Sequence, residues 1–392
     1  MSFQTLPPEL QELIIIDAGN ETLVSLCLTS IPTLFLARPL LYRRLCISIV
    51  AAEVLQSPPT EVWTDETFDQ SENWDNRWRQ AALARTLEAH PAWYSYVQEA
   101  RLVLQAPISV GGSCAARMFK MFKNLRDLEV ISETEAGPDS RTRTFLIENS
   151  PRSVISLDLS LSKLPSFAVR NLLENLPLLQ SLSLGDKVAL KLCLPPPTAS
   201  RSPLTLLSTL SLSNINEEPS AFDILASAAP VLTSLEVDFL CLGGPVSAAL
   251  PSVQDLMIGG SLSNVVDLSR GSTQRAVDWI TSLLDACTSL RSFTLSNTDS
   301  RVPFQHPGHQ ILQHFPPLLQ DLELDWPYFA KVTHLEFLVS QPNALRTLTI
   351  LRLVTWDEAE EVVQMDFAGS NALEQACRER NISLEWIEWD AA

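Results

Sequence analysis

One apolar pattern recurs along this 392-residue chain: Leu-x-x-Leu-x-Leu, with conservative replacements. It appears as Leu125/Leu128/Val130, Val154/Leu157/Leu159, Leu179/Leu182/Leu184, Leu207/Leu210/Leu212 and Leu232/Leu235/Val237. It continues as Val253/Leu256/Ile258, Leu290/Phe293/Leu295, Leu319/Leu322/Leu324 and Leu345/Leu348/Ile350. Successive copies start 21 to 37 residues apart, and six of the eight steps fall between 25 and 29. The last two apolar positions of each copy are two residues apart, which sends both side chains to one face of a short strand. Between copies the spacing turns helical over 167–176, 221–228, 275–286 and 309–314. Prolines and polar breaks stop these helices just before the strands, as in "NLPLLQSLSL", "AAPVLTSLEV" and "HFPPLLQDLEL".

A strand–helix unit of this size cannot bury its apolar face alone, but stacked copies share one core. The pattern and a period near the ~20–29 residues of leucine-rich repeats predict an α/β solenoid. Its parallel strands form a concave sheet and its helices lie outside, because strands pack more closely than helices. Leu102 and Leu104 suit a first strand, and Leu384 and Trp386 a last one, flanking the nine copies. The 21- and 37-residue steps between residues 232 and 290 mark where the array departs from a uniform horseshoe.

The first 45 residues read differently. Leu6-Pro7-Pro8-Glu9-Leu10 opens a helix whose prolines sit in the first turn, where a missing N–H costs nothing. Leu10, Leu13, Ile14 and Asp17 keep helical spacing, and Gly19 suits a C-cap. Asn20 caps a second helix carrying Leu23, Leu26 and Leu28, and Ser30 a third carrying Leu34, Leu36, Leu40, Leu41 and Leu45. A three-helix unit this small must lean on a partner or on the repeats.

The stretch "LPPELQELIIIDAGNETLVSLCLTS…LARPLLYRRL" resembles an F-box, the module that docks on the Skp adaptor of cullin–RING ubiquitin ligases. The register matches through Leu6, Pro7, Glu9, Leu10, Ile14, Leu23, Leu26 and Leu28. The order of parts is similar to that of the F-box/leucine-rich-repeat family, and "LARTLEAHPAWYSYVQEARLVL" is similar to the lead-in to the repeats of its fungal members. Where that family shows Val-Cys-Arg and an aromatic residue, this chain has Thr29, Ser30, Ile31 and Thr33, with Phe35 two positions on. The resemblance implies that Leu6, Pro7, Leu10, Ile14, Leu26 and Leu28 face the adaptor or support that face. The other reading of the same helices is a cap that seals the solenoid and needs no partner.

Residues 1–50 are thus expected to form the F-box-like module, 51–90 a linker and connecting helix, and 91–392 the solenoid. The linker includes the acidic, Pro- and Trp-bearing stretch 56–76. "GPDS" at 137–140, "PPPTASRSP" at 195–203 and "EPS" at 218–220 read as loops between repeats.

Charge and cysteine usage narrow the partners. A net charge of -18 repels phosphate backbones and anionic bilayers, which argues against nucleic acid and membrane and favours a basic partner. The most apolar stretch, 23–41, contains Pro32, Arg38 and Pro39 and cannot span a bilayer. Seven cysteines, no two closer than 19 residues, form neither a zinc nor a redox motif. Their odd number and the lack of a basic leader point to reduced thiols in the cytoplasm or nucleus.

Motifs for chemistry are missing. "VGGSCAAR" at 110–117 lacks the lysine of a phosphate-binding loop, and neither a Gly-x-Ser-x-Gly elbow nor a His-Glu-x-x-His helix occurs. His306, His309 and His314 cluster in "HPGHQILQH", which reads as exposed loop histidines, without a sequence-near carboxylate before Asp321. No enzyme activity, metal or cofactor is therefore expected. The positions flanking each Leu-x-Leu pair face the concave surface, and they carry Asp127, Glu129, Asp158, Glu236, Asp238, Asp255, Asp321, Glu323 and Asp325. The rest of those positions are mostly Ser and Thr, and none is Lys or Arg. An acidic, hydroxyl-lined face suits a basic peptide or protein surface. The functional expectation is a substrate receptor that holds the Skp adaptor with its N-terminal helices and a protein substrate with its repeats. The alternative is a non-catalytic interaction scaffold.

Overall fold

The structure is a computed structural model that describes residues 11, 14–15, 20–29, 31–49, 83, 85–104, 114–132, 137–185, 188, 190–194, 204–213, 220–238, 245–259, 270–296, 308–325, 335, 338–339, 344–354 and 370–390. It folds into two compact units, residues 1–179 and 180–392.

In the first unit, helices Asn20–Thr29 and Ile31–Leu41 close a small core of Ile15, Leu23 and Ala37, with Leu26, Cys27, Leu40 and Leu41 packed against it. The expected third helix stops at Leu41. Pro39 lies in its last turn, and the residues beyond it, "RLCISI", favour extended backbone. Leu45, expected in that helix, instead lies buried in strand β1 (Arg44–Ile49). β2 (Glu99–Leu104), β3 (Asp127–Ser132) and β4 (Ser156–Leu159) follow, each parallel to the strand before it. The sheet therefore begins inside the stretch read as purely helical.

Helices Cys114–Met121, Ser140–Asn149 and Ser166–Glu174 separate or follow these strands. Asp139 caps the second of them by accepting from the Thr142 N–H at 2.8 Å. The turn before it needs glycine: Gly137 has φ +74°, and a Cβ there would lie 2.5 Å from the Lys163 carbonyl oxygen. Tyr94, Phe119, Phe122 and Phe145 pack as a chain of rings 5.8 to 6.3 Å apart behind the strands.

The second unit holds β5 (Ser181–Leu184), β6 (Thr209–Leu212), β7 (Ser234–Asp238), β8 (Asp255–Gly259), β9 (Ser292–Leu295), β10 (Asp321–Asp325), β11 (Thr347–Val354) and β12 (Ser383–Asp390). All are parallel and neighbours in chain order. Every strand from β2 to β12 carries its expected apolar pair, and those of β2 to β11 are buried. Helices Ser220–Ala228, Arg270–Ala286 and Gly308–Leu312 start or end within a few residues of the limits the spacing marked, and Ser370–Glu379 precedes β12. This α/β arrangement is the leucine-rich-repeat solenoid fold.

Both irregular steps have a structural cause. The 21-residue step leaves no helix between β7 and β8 among the described residues. The 37-residue step holds the 17-residue helix Arg270–Ala286. That long helix serves both repeats. Its Ser282 hydroxyl accepts the Val246 N–H at 2.8 Å, and its Ala286 carbonyl accepts the Leu250 N–H at 2.9 Å. Its Trp279 ring reaches back over the helix-less repeat to Phe222, 6.4 Å away edge-on.

One device recurs along the stack. At nine strands the carbonyl of the residue just before the strand accepts two consecutive N–H groups of the next repeat. Arg43 O accepts from Gln98 and Glu99, Gln98 O from Arg126 and Asp127, and Arg126 O from Ile155 and Ser156. In the second unit Gln180, Ser208, Thr233, Gln254, Arg291 and Gln320 do the same, at 2.7 to 3.0 Å. The fixed register places each apolar pair on its neighbour, as Leu182 on Leu210 and Leu210 on Leu235.

Two leucines four residues apart separate core from surface. Leu210 is buried on both neighbouring strands, whereas Leu206 is exposed. Leu210→Ala is expected to cost about 2–5 kcal/mol in urea unfolding. Leu206→Ala should change stability by no more than about 0.5 kcal/mol. Equal losses at the two positions would contradict this packing.

Candidate functional site

Three surfaces are candidates. Among the described residues no group of three or more His, Cys, Asp or Glu is placed to hold a metal. His306 lies outside the described residues. His314 is not the carboxylate-free loop histidine that its sequence neighbourhood suggests. The fold brings Asp285 from the end of the long helix to 2.9 Å from its Nδ1. Cys193, Cys287 and Cys377 are buried thiols, and burial pushes Cys287 up to about 12. That keeps it a protonated core side chain rather than a nucleophile.

The first surface is the N-terminal helical pair. Leu6, Pro7 and Leu10 lie outside the described residues. Ile14 and Leu28 are exposed, 45% and 83%. Leu26 is half-buried and packs into the small core. Side chains absent from the expected set extend the surface: Val24, Ile31, Phe35 and Leu36 are also exposed, with Ile31 at 72% and Phe35 at 65%. Val24 and Leu28 are four apart on one helix, Ile31 and Phe35 four apart on the next, so each pair shares a helix face. Their helical spacing was visible in the sequence. Which face the small core would claim was not.

The second surface is the open face of β1–β4. Here the charges serve the fold. β1 and β2 lie outside the nine marked copies and bring arginines onto the rows that were expected to hold none. Arg44 aligns with Glu99 and Asp127, and Arg101 with Glu129 and Asp158. Arg43 and Arg44 both pair with Glu99, the former at 3.1 Å, and Arg101 pairs with Glu129 at 3.3 Å. Asp158 accepts the Ser160 N–H at 2.9 Å. Partial burial, and next the Glu99 carboxylate, raise Asp127 above the ordinary aspartate value. The acids of this unit are matched or tied down by their own neighbours.

The third surface is the open face of β5–β12. Its first register row runs Ser181, Thr209, Ser234, Asp255, Ser292, Asp321, Thr347, Ser383. The second runs Ser183, Ser211, Glu236, Met257, Thr294, Glu323, Thr349, Glu385. Neither row contains a lysine or arginine. The carboxylates of Glu236, Asp255, Asp321 and Glu323 make no hydrogen bond or ion pair with the described residues, while Asp238 has an interaction partner. Asp325 ends β10 beside them in sequence. Asp255 and Asp321 are two strands apart, on the order of 10 Å, and Glu323 follows Asp321 by about 7 Å along β10.

No protein-family model and no curated protein matches this chain. Among solved structures it is similar to the leucine-rich repeat-containing protein LegL7 from Legionella pneumophila. That match has 15% identity and a TM-score of 0.42, over 73% of this chain and 90% of that one. It is also similar to a chain of the mouse RP105/MD-1 complex, at 14% identity and a TM-score of 0.32, over 68% of this chain and 49% of that one.

The raised Asp127 gives a pH signature. A carboxyl whose folded value lies above its unfolded value binds its proton more tightly in the native state. Its favourable contribution is present below the unfolded value and is lost as pH rises through the folded one. Asp127→Asn should therefore raise the urea midpoint at pH 7, and the gain should vanish near pH 3. A gain of the same size at both pH values would show that ionisation is not its source.

Proposed function

We propose that this protein is an F-box-type substrate receptor. In this reading its N-terminal helices dock on the Skp adaptor of a cullin–RING ubiquitin ligase, and its repeats hold a protein substrate. The observation that carries the reading is the unpartnered apolar face of the helical pair. A helix pair that served only as a cap would turn its large apolar side chains inward. Here Ile14, Leu28, Ile31 and Phe35 are all exposed, and the stretch around Leu6 and Pro7 resembles the F-box in sequence. A second reading, an interaction scaffold with a helical cap, draws support from β1, which joins the helices directly to the sheet.

The protein does no chemistry of its own in this proposal. It raises the local concentration of substrate lysines near a charged conjugating enzyme. The adaptor binds at one end, and the substrate lies on the open face of β5–β12. The unpaired Glu236, Asp255, Asp321 and Glu323 favour a basic substrate segment there, because each would gain a partner that the fold does not supply. The activity belongs to the cytoplasm or nucleus, where the adaptor and reduced thiols coexist.

Two experiments test the two halves. Full-length protein is expected to co-purify with a recombinant Skp adaptor. Leu28→Glu with Phe35→Glu, or Leu6→Ala with Pro7→Ala, should weaken that binding at least tenfold, with circular dichroism unchanged. Undiminished binding in both double variants, or no binding by the wild type, would remove the ligase reading. For the open face, Asp255→Asn, Asp321→Asn and Glu323→Gln combined should strip a subset of Lys/Arg-rich proteins from those captured by the wild type. An identical captured set would defeat the basic-substrate reading while leaving adaptor docking untouched.

A further inference from the structure

The helical pair meets the first repeat at a compact joint. The helix Ile31–Leu41 ends in a two-residue turn, Tyr42 and Arg43, from which β1 departs at once. The backbone bonds of that turn, Tyr42 N–H to Arg38 O and Arg43 N–H to Leu40 O, are both 3.2 Å long. On the sheet side, Arg43 O accepts the Gln98 and Glu99 N–H groups, and β1 pairs with β2. The turn is the covalent joint between the helices and the sheet, and the pairing of β1 with β2 fixes the strand side of it.

Trp93 lies on the 3-10 helix Pro91–Tyr96 that leads into β2. The Arg38 guanidinium sits 4.4 Å from the Trp93 ring centre and 5.7 Å from that of Phe35. Tyr42 lies 5.2 Å from Trp93, and His90 stacks on Trp93 at 4.2 Å with the planes 21° apart. One cation thus bridges a ring on the exposed helical face and a ring on the repeats. A guanidinium stacks flat on aromatic faces and holds its plane, which an ammonium does not. These contacts tie helix Ile31–Leu41 to the segment that leads into β2.

We infer that Arg38 and Trp93 are positioning residues: by clamping the guanidinium between Phe35 and Trp93, they lock the apolar docking face in one direction relative to the first strands. The clamp gives the helical pair a role beyond holding a partner, since whatever docks on Ile31 and Phe35 is presented to the repeats at a fixed angle. The consequence for substrate presentation rests on the adaptor-docking reading above. The lock itself does not.

Hydrogen exchange on the full-length protein tests it. Trp93→Ala should speed exchange at least tenfold in the segments 38–44 and 91–98, while helix Asn20–Thr29 and β3 keep wild-type protection. Arg38→Gln should give the same local signature, and Trp93→Phe, which keeps an aromatic face, should restore most of the protection. Arg38 is only half-buried, so its variant carries the comparison if Trp93→Ala fails to fold. Wild-type exchange in both segments for Arg38→Gln and Trp93→Ala would overturn the proposal, because β1–β2 pairing alone would then hold the angle. Equal loss of protection in helix Asn20–Thr29 would overturn it too, by making Arg38 and Trp93 part of the helical core rather than a joint. Adaptor binding by the wild type is measured alongside. If it is absent, the ligase reading falls and the exchange result still decides the lock.

Discussion

The structure depends on one recurring hydrogen-bond arrangement: among the described residues, nine carbonyls just before a strand each accept two consecutive N–H groups from the next repeat. A short parallel strand has few ladder bonds of its own, and an unsatisfied backbone group beside a leucine core is costly. Two donors on one acceptor satisfy the start of each strand and fix its register in the same step. A slip by one residue would turn Leu210 outward and Ser211 into the core, so register and burial enforce each other. The arrangement first appears at Arg43, which makes β1 a full member of the stack rather than an appendage of the helices.

With register fixed, each residue between the leucines has a defined place on the open face, and the two units use those places differently. In the first, Arg43, Arg44 and Arg101 neutralise Glu99 and Glu129, and the charges close on themselves. In the second, acids on β7, β8 and β10 share a face with serines, threonines and Met257 and have no basic neighbour on either row. Unpaired like charges at such spacing work against folding by amounts of order a few tenths of a kcal/mol each. The packed leucines easily outweigh that cost, and the acids are left available to a partner.

The helix-less repeat shows how the core adapts to a change of length. With no helix between β7 and β8, Phe222 would lose its outer neighbour. The long helix Arg270–Ala286 covers the gap by setting Trp279 against Phe222 and by bonding the loop at Val246 and Leu250. The N-terminal helices solve a related problem at their own end, where Arg38 and Trp93 tie them to the repeat that follows.

Much of this was determined by the sequence alone. The Leu-x-x-Leu-x-Leu spacing placed the strands β3 to β11, and the flanking apolar pairs placed β2 and β12, because burial with a period of two leaves little choice once a strand is assumed. Helical periodicity located the main outer helices, and the irregular steps marked the repeats that differ. Tertiary structure alone decided the rest. β1 was hidden because "RLCISI" continues a leucine-rich helical run, and only β2 beside it makes the extended form pay. The arginines on the open face came from strands outside the clearest copies, so the uniformly acidic face shrank to the second unit. Ile31 and Phe35 emerged as surface residues because Ile15, Leu23 and Ala37 filled the small core first. Periodicity says which residues share a face; what lies against that face depends on neighbours far away in the chain.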